Sequence, residues 1–272
     1  MWESEMSVYD CFQYYNEDHI VDLRLNILND YVDYFVISES TKTHQGTRKK
    51  LNFNIKNFKK FEKKIIYTVA DYDLNENILN HKGGESKIEI HQRNNLANGL
   101  DKASGNDLII LSDSDEIPDM EKLLKKKNLK KFTAFSQSMF MYKLNLKNLD
   151  ESGWIGSKVV LKKNLTTMQD LRDKKFKNFP KWRIDKWNQE IINGGWHFSF
   201  LQNVDDINNK IKSYSHGEFN KKDFFDKENI TKRILNKEDI FDRNFKLIKV
   251  DLDNNFPEYI LKNKKKLNEW IL

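Results

Sequence analysis

The chain has 272 residues, 38% of them hydrophobic and 12% aromatic, so it can bury a sizeable core and is not a disordered segment. Its 47 basic and 41 acidic residues give a net charge of +6, without the arginine-rich, aromatic-interleaved clusters that favour nucleic-acid binding. Cys11 is the single cysteine, which excludes an intrachain disulfide, and no segment resembles a signal peptide or a membrane span, so we expect a cytoplasmic protein.

The first half of the chain alternates apolar runs with segments of helical spacing. Continuous apolar runs predict buried strands, and apolar residues that recur every three or four positions predict helices. In chain order these are a strand over residues 8–15, a helix over 17–28, strands over 33–38 and 65–69, a helix over 86–100 and a strand over 107–112. Such alternation is typical of an α/β fold whose mainly parallel sheet is covered by helices.

The second half has a looser pattern and ends in a basic tail. The predicted elements are strands within residues 132–144 and over 158–161, helices over 205–213 and 221–234, and a basic amphipathic helix over 258–272. A helix of this last kind can dock on an anionic membrane surface, so peripheral membrane contact is one candidate role for it. We therefore expect one domain over residues 1–255 and a C-terminal helical extension over residues 256–272.

The strongest local signal is the motif Ser-Asp-Ser-Asp-Glu-Ile-Pro at residues 112–118, directly after an apolar strand. Ligands of a parallel sheet bind beyond the carboxyl ends of its strands, which is where this motif falls. Two carboxylates at this spacing, Asp113 and Asp115, can both reach one hard cation such as Mn²⁺ or Mg²⁺. A cation held there neutralises the charge that develops on a diphosphate leaving group. We predict that Asp113 and Asp115 hold a divalent cation and the diphosphate of a nucleotide-sugar donor.

Three other interpretations of the chain stay open. The same motif would also occur in an exposed acidic turn that only caps a helix at Met120 and has no further function. Phosphohydrolases of the haloacid-dehalogenase type also carry an Asp-x-Asp after a strand, with the first aspartate as the nucleophile. Their motif usually follows the first strand of the domain, whereas three predicted strands precede it here. A non-catalytic protein that binds surfaces through its basic tail is the third interpretation.

A second group of candidate residues lies at Gly-Gly-Trp-His, residues 194–197, and at Ser-Tyr-Ser-His-Gly-Glu, residues 213–218. Two glycines permit the backbone to approach a ligand closely, and a neutral histidine is a common ligand of Mn²⁺-class metals. His197 is therefore a candidate third metal ligand, although a histidine buried in the core fits the sequence equally well. Glu218 is a candidate general base for an acceptor hydroxyl group.

Polar residues after the second strand indicate a nucleotide site. Glu39 follows that strand and could accept hydrogen bonds from a ribose or a base, and Lys49 could meet a phosphate. Arg93, in the helix before the acidic motif, is a further candidate for phosphate binding. The alternatives are an ordinary surface loop and an arginine that pairs with a neighbouring acid.

Taken in order, these motifs resemble glycosyltransferase family 17, which includes the eukaryotic enzyme that adds bisecting N-acetylglucosamine to N-glycans. The resemblance covers roughly residues 8–218 and rests on the order of its motifs. These are Tyr-Asp-Cys-Phe-Gln-Tyr-Tyr-Asn-Glu at residues 9–17, Leu-Arg-Leu-Asn at 23–26, Val-Asp-Tyr-Phe-Val-Ile-Ser-Glu-Ser at 32–40, Gln-Arg-Asn at 92–94, the acidic motif at 112–118 and Gly-Gly-Trp-His-Phe-Ser at 194–199.

The resemblance implies a GT-A fold and an inverting transferase with a Mn²⁺-type cofactor and a UDP-sugar donor, UDP-N-acetylglucosamine in particular. The family's acidic motif falls on Asp113, Asp115 and Glu116. An inverting transfer needs a general base opposite the leaving group, and we assign that role to Glu218 or Glu116. Glu116 could equally be a residue that orients the metal ligands.

The chain also differs from the Golgi members of that family. It shows no membrane anchor and has a single cysteine, whereas luminal enzymes often use disulfides. We therefore expect the acceptor to be a glycan or lipid-linked glycan of the cell surface rather than a branched N-glycan.

Overall fold

The computed structural model describes residues 6–72, 87–176, 187–213 and 226–272. Its strands are β1 (Val8–Tyr14), β2 (Tyr34–Ser40), β3 (Ile65–Ala70), β4 (Leu108–Ser112), β5 (Glu116–Pro118), β6 (Phe132–Met141), β7 (Leu146–Asn148), β8 (Trp154–Leu161), β9 (Gln189–Ser199) and β10 (Leu247–Lys249). Its α-helices are α1 (Asp18–Leu28), α2 (Lys87–Asn95), α3 (Met120–Leu124), α4 (Met168–Asp173), α5 (Val204–Ser213), α6 (Lys227–Asn236) and α7 (Glu258–Lys262). No helix within the described ranges is long and apolar enough to cross a membrane.

The strands form one sheet in the order β10-β7-β6-β8-β4-β1-β2-β3, with β9 beside β6 and β5 beside β9. β1 lies between β2 and β4 and is parallel to both, and β3 is parallel to β2. All five residues of β4 are buried, as expected for a strand covered on both faces. The predicted parallel, helix-covered sheet is thus confirmed for this half of the molecule.

The other half of the sheet is mixed rather than parallel. β8 runs antiparallel to β4, and β6, β7 and β10 continue the antiparallel pairing. β9 returns parallel to β6. The boundary between the two halves falls at β4, whose carboxyl end carries the acidic motif.

Strand β9 is not predicted from the sequence, because its Asn-Gly-Gly segment at residues 193–195 has low strand propensity. It nevertheless pairs with most of β6, with a register shift between Ser136 and Ser138. It also pairs antiparallel with β5, where Glu116 lies opposite His197. This pairing brings a histidine that is remote in sequence to the acidic motif.

Gly195 serves close packing between strands, because its missing side chain leaves room for the backbone of β5. Replacing it with alanine is expected to destabilise the protein by about 1–3 kcal/mol or more, measured by urea denaturation. A Cβ would lie 2.6 Å from the Ile117 carbonyl oxygen and 3.1 Å from the Asp119 nitrogen, and φ is +107°. In the control Gly105→Ala, the Cβ would meet only the Lys163 Cβ, at 3.5 Å. Equal unfolding midpoints for the two variants would contradict this role.

The basic tail packs against the body of the protein. The predicted helix over residues 258–272 is wrong in extent, since α7 ends at Lys262 and a separate short 3₁₀ turn follows at Asn268–Trp270. Ile260 is fully buried in the core that α1 also contributes to, and the Trp270 ring stacks on His19 at 4.8 Å between centroids. The apolar residues that gave the tail its amphipathic pattern therefore face the core.

Candidate active site

The acidic motif forms a turn, residues 113–116, at the carboxyl end of β4. A hydrogen bond from the Glu116 amide to the Asp113 carbonyl, 3.1 Å long, closes the turn. A helix does begin at Met120, as one interpretation predicts, but its cap is Asp119, whose carboxylate accepts from the Lys122 amide at 3.2 Å. The carboxylates of the turn are thus not the cap of α3.

Arg24 of α1 holds this turn through the backbone carbonyl oxygens of the turn. The side chains of Arg24 and Asp10 are both fully buried and form a bidentate ion pair, with N···O distances of 2.7 and 2.6 Å. The remaining guanidinium nitrogen donates to the Glu116 carbonyl oxygen at 2.6 Å and lies 3.3 Å from that of Asp113. The backbone of the turn is therefore anchored to a helix of the core, which limits its freedom to move.

Glu116 is fully buried, and each of its carboxylate oxygens accepts several hydrogen bonds. The donors are the Asp113 amide at 3.0 Å, the Trp154 indole at 2.7 Å and the Arg172 guanidinium at 2.9 Å. Burial would favour the neutral acid, but Arg172 holds the pKa of Glu116 below its usual value. Of the two roles predicted for Glu116, these contacts favour the orienting one.

Asp113 faces the solvent side of the turn, with 38% of its side chain exposed. Arg172 donates to it at 2.6 Å, and Arg93 lies 3.9 Å away. The enclosed position of this carboxylate in the site, beside the carboxylate of Glu116, raises the pKa of Asp113 against the opposing effect of Arg172. A second cation at this carboxylate would stabilise its charged form.

Asp115 meets His197 and Lys210, whose nitrogens lie 3.6 and 3.7 Å from its two oxygens. Burial alone would raise its pKa, but these two neighbours hold the pKa of Asp115 well below its usual range. Asp115 correspondingly raises the pKa of His197, against the effect of burial. The Nδ1 atom of His197 is buried and has no hydrogen-bond partner among the residues that the structure describes.

Asp113, Asp115 and His197 could supply some, but not all, of the ligands of a divalent cation. No group of three or more His, Cys, Asp or Glu side chains in the described part of the chain is close enough together to hold a metal ion alone. Mg²⁺ is commonly held by one or two carboxylates together with substrate phosphates and water. Asp115 and Asp113, with the imidazole of His197 beside them, match that pattern.

The turn opens into a cleft of about 400 Å³. Side chains from α2, from the end of β1, from β8 and β9 and from α5 contribute to its wall. The lining residues include Tyr15, Glu17, Glu89, Arg93, Asp113, Asp115, Trp154, Arg172, His197, Phe200, Lys210, Phe241 and Arg243. The wall therefore combines four carboxylates with four Lys and Arg side chains, so an anionic ligand could bind there together with a cation.

The Gly-Gly-Trp-His motif divides between two faces of the sheet, because neighbouring residues of a strand point in opposite directions. His197 lines the cleft. Trp196 lies on the other face, where its indole donates to the Asn255 carbonyl oxygen at 3.0 Å. With Gly194 and Gly195 it borders a separate open depression of about 860 Å³. Of this motif, only the histidine lines the cleft.

Glu39 and Lys49 lie behind the cleft wall. Glu39 is fully buried and accepts from the amides of Asn52 and Phe53, at 2.7 and 3.0 Å, and from the Tyr67 hydroxyl at 2.8 Å. The ammonium group of Lys49 also pairs with it. These contacts fix the loop that follows β2. Whether either residue touches a nucleotide stays a prediction.

Arg93 does line the cleft, and it is almost fully buried. It donates to Gln169 at 2.6 Å and to Glu89 at 2.8 Å. Arg93 therefore lies near the acidic turn, where the sequence placed a candidate phosphate-binding arginine. It also pairs with a neighbouring acid, which was the alternative interpretation.

The predicted general base, Glu218, lies outside the described residues.

Sequence reasoning missed Arg172, Trp154 and Lys210. Arg172 binds both Asp113 and Glu116, yet it belongs to a helix of six residues that no apolar periodicity reveals. The one local signal is its cap, since the Thr167 hydroxyl accepts from the Asp170 amide at 3.0 Å.

An α/β sheet with paired carboxylates at the end of a central strand, facing a cleft lined by charges of both signs, is typical of a group-transferring enzyme. The family model of glycosyltransferase family 17 matches residues 1–246. The chain therefore belongs to this family and is a transferase, and its α/β architecture agrees with the GT-A fold that the motifs imply. The phosphohydrolase and the non-catalytic interpretations are set aside.

The similarity of the chain to individual proteins of known structure is low. No curated protein matches the chain. HddC from Yersinia pseudotuberculosis, complexed with GMP-PN, is 12% identical over 69% of this chain and 90% of its own, with a TM-score of 0.34. Glucosyl-3-phosphoglycerate synthase from Mycobacterium tuberculosis, in complex with Mn²⁺, UDP and phosphoglyceric acid, is 13% identical over 95% and 92%, with a TM-score of 0.36.

Proposed function

We propose that this chain transfers a sugar from a UDP-sugar, UDP-N-acetylglucosamine in particular, to a hydroxyl group of a glycan or lipid-linked glycan, with inversion at the anomeric carbon. The observation that carries the proposal is the fixed turn at residues 113–116, whose two aspartates face a cleft between the cations Arg172 and Lys210. A diphosphate has the charge and size to bind between such groups when a divalent cation neutralises the aspartates.

Asp113 and Asp115, with His197 as a candidate third ligand, are the residues that would hold Mn²⁺ or Mg²⁺. The bound cation supplies charge neutralisation for the departing diphosphate. Glu116 and Arg24 keep the turn in place, the first through the Asp113 amide and the second through the turn carbonyls. Because these contacts are fixed before substrate binds, the carboxylates need no reorganisation during the reaction.

Arg172 contributes a positive charge beside Asp113 and Glu116. It donates to Asp113 and to Glu116, and 16% of its side chain remains exposed to the cleft. We place a phosphate oxygen of the donor beside this guanidinium group, which Glu116 holds in position. Such a group stabilises the negative charge that grows on the diphosphate as the sugar leaves.

The nucleotide is proposed to lie against the ends of β1 and β2, beyond which parallel sheets bind their ligands. Tyr15 forms part of this wall, and the Lys49 ammonium lies 5.2 Å from the centre of its ring. Glu39 holds Lys49, so the two residues contribute by fixing Tyr15 and the following loop. Glu218 keeps its proposed role as the general base, because the contacts of Glu116 occupy both of its oxygens.

The test is UDP release from a panel of UDP-sugars, with Mn²⁺, with Mg²⁺ and with a chelator, paired with calorimetry of UDP binding. We expect release from one UDP-sugar that requires the cation, and UDP binding that tightens when Mn²⁺ is present. GDP- and CMP-sugars serve as controls for specificity toward the uracil base of the donor. Absence of both binding and release for every donor would overturn the proposed function.

A further inference from the structure

Lys158 is a lysine at an interior position of the sheet. It belongs to β8 and pairs with Leu111 of β4 on one side and with Ala134 of β6 on the other. Only 5% of the residue is exposed. Val160, two positions along the same strand and therefore on the same face, belongs to a buried apolar cluster with Leu111. An apolar side chain is the usual occupant of such a position, so the lysine requires an explanation.

The ammonium group of Lys158 binds the end of α4. It donates to the carbonyl oxygen of Arg172 and, at 2.9 Å, to that of Lys174. The last carbonyl groups of a helix have no partner inside the helix, and a lysine side chain can supply one. Burial lowers the pKa of Lys158 to about 8, with a further contribution from Arg172, because a buried position disfavours the charged form. The two hydrogen bonds to α4 offset part of that penalty.

Helix α4 depends on contacts of this kind because it has only six residues. Helices this short are not stable in isolation. Its first turn is held from α2, where Arg93 donates to the Gln169 side chain at 2.6 Å and the Asn94 side chain accepts from the Gln169 amide at 3.0 Å. Lys158 holds the other end. The two ends of α4 are therefore attached to different parts of the core, α2 and β8.

Arg172 lies at the end of α4 that the lysine binds. Its carbonyl oxygen accepts from Lys158. Its guanidinium group donates to Asp113 at 2.6 Å and to Glu116 at 2.9 Å. The carbonyl group and the side chain of one residue are joined through its Cα, so a shift of this backbone also displaces the guanidinium group. The position of this cation beside the acidic turn thus depends on Lys158.

We propose that Lys158 is a positioning residue for the transfer reaction, because it holds the backbone of Arg172 and so keeps that guanidinium group beside Asp113 and the donor diphosphate. Lys158 is not among the described residues that line the cleft, so it acts through Arg172. This inference rests on the proposed function for the role of Arg172 in the reaction. It adds a residue of the sheet interior to those on which the rate depends.

The first test compares Lys158→Met with the same change at Lys64. Lys64 makes the same kind of contact elsewhere, since its ammonium group donates to the carbonyl oxygens of Asn29 and Val32, at 2.7 and 2.9 Å, just beyond α1. We expect Lys158→Met to lower the rate of UDP release roughly ten- to hundredfold, the effect of displacing a positioned group by up to about 1 Å. Lys64→Met should retain the wild-type rate. Equal rates for the two variants would overturn the proposal.

A double-mutant cycle shows whether Lys158 acts through Arg172. Arg172→Gln removes the guanidinium group, so the additional change Lys158→Met should then lower the rate no further. A rate that falls by the same factor in both backgrounds would mean that the lysine acts independently, and the proposal would be wrong. Urea denaturation establishes that each variant is folded. If Lys158→Met does not fold, Lys158→Gln takes its place, with Lys64→Gln as its control and the same outcomes.

Amide hydrogen exchange tests the contact without any reaction. Lys158→Met should speed exchange in peptides that cover residues 168–174 and leave exchange in β1 unchanged, because local opening is governed by local contacts. Unchanged exchange over residues 168–174 would contradict the attachment of Arg172 to Lys158. If the wild type releases no UDP from any UDP-sugar while Lys158→Met speeds this exchange, the proposed function fails but the attachment stands, so the two failures are distinguishable.

Discussion

Replacing Asp115 with asparagine is expected to lower donor turnover about a thousandfold, because a divalent cation contributes several kcal/mol of charge stabilisation in the transition state. Asp115 is the carboxylate of the turn whose neighbours, His197 and Lys210, keep it ionised. Asparagine has nearly the same shape but no charge, so the fold should be retained while the affinity for Mn²⁺ falls. Turnover is measured as UDP release, and Mn²⁺ affinity by calorimetry with UDP present.

The matched control for this variant is Asp119→Asn, the same chemical change four residues along the chain. Asp119 caps α3, and asparagine is as good a helix cap as aspartate. It borders the separate depression rather than the cleft, so turnover and Mn²⁺ affinity should both be retained. If Asp115→Asn keeps its Mn²⁺ affinity and its turnover, the turn does not hold the cation.

Replacing Arg24 with methionine is expected to cost about 3–5 kcal/mol of unfolding free energy, the usual effect of removing one partner of a buried ion pair. Arg24 and Asp10 are both fully buried, so the variant leaves an unpaired carboxylate in the core. It also removes the donor to the Glu116 carbonyl oxygen. The measurement is equilibrium unfolding in urea, with exposed Arg48→Met as the control for losing an arginine.

The double variant D10L/R24M distinguishes charge from packing. Replacing both partners with apolar residues removes the unpaired carboxylate, so we expect it to recover part of the stability that Arg24→Met loses. Recovery should be incomplete, since the Glu116 carbonyl oxygen still lacks its donor. A single variant as stable as the wild type would show that the ion pair contributes nothing to the fold.

The parallel half of the fold could be predicted from sequence because its strands are continuous apolar runs. The predicted strand at residues 107–112 corresponds to β4 (Leu108–Ser112), and the helix at residues 17–28 to α1 (Asp18–Leu28). The position of the acidic turn followed from the general rule that parallel sheets bind ligands beyond the carboxyl ends of their strands. Local pattern and global topology agree in this half.

Long-range polar contacts could not be predicted in the same way. Arg24 lies within a helical apolar pattern, where a single arginine looks like a solvent-exposed residue, yet it is fully buried against Asp10. Arg172 reaches Glu116 across 56 residues of sequence. The contacts that hold Glu39 were not predicted either, since it accepts hydrogen bonds from its own loop and from Tyr67; its contact with a nucleotide stays a prediction.

The buried cysteine of β1 allows the local opening of the sheet to be measured by chemical modification. Cys11 is the only cysteine of the chain, it has no exposed surface, and burial raises the pKa of its thiol. The Cys11 side chain belongs to a buried cluster with Leu96, Leu100 and Met168. Side chains of a strand project from the face of the sheet, and alkylating reagents attack the thiolate, so modification requires the layer that covers this face to open. The alkylation rate in native buffer therefore measures the opening free energy of the sheet centre. A nucleotide bound beyond β1 should slow that rate in proportion to its occupancy, which yields its affinity without denaturant or label.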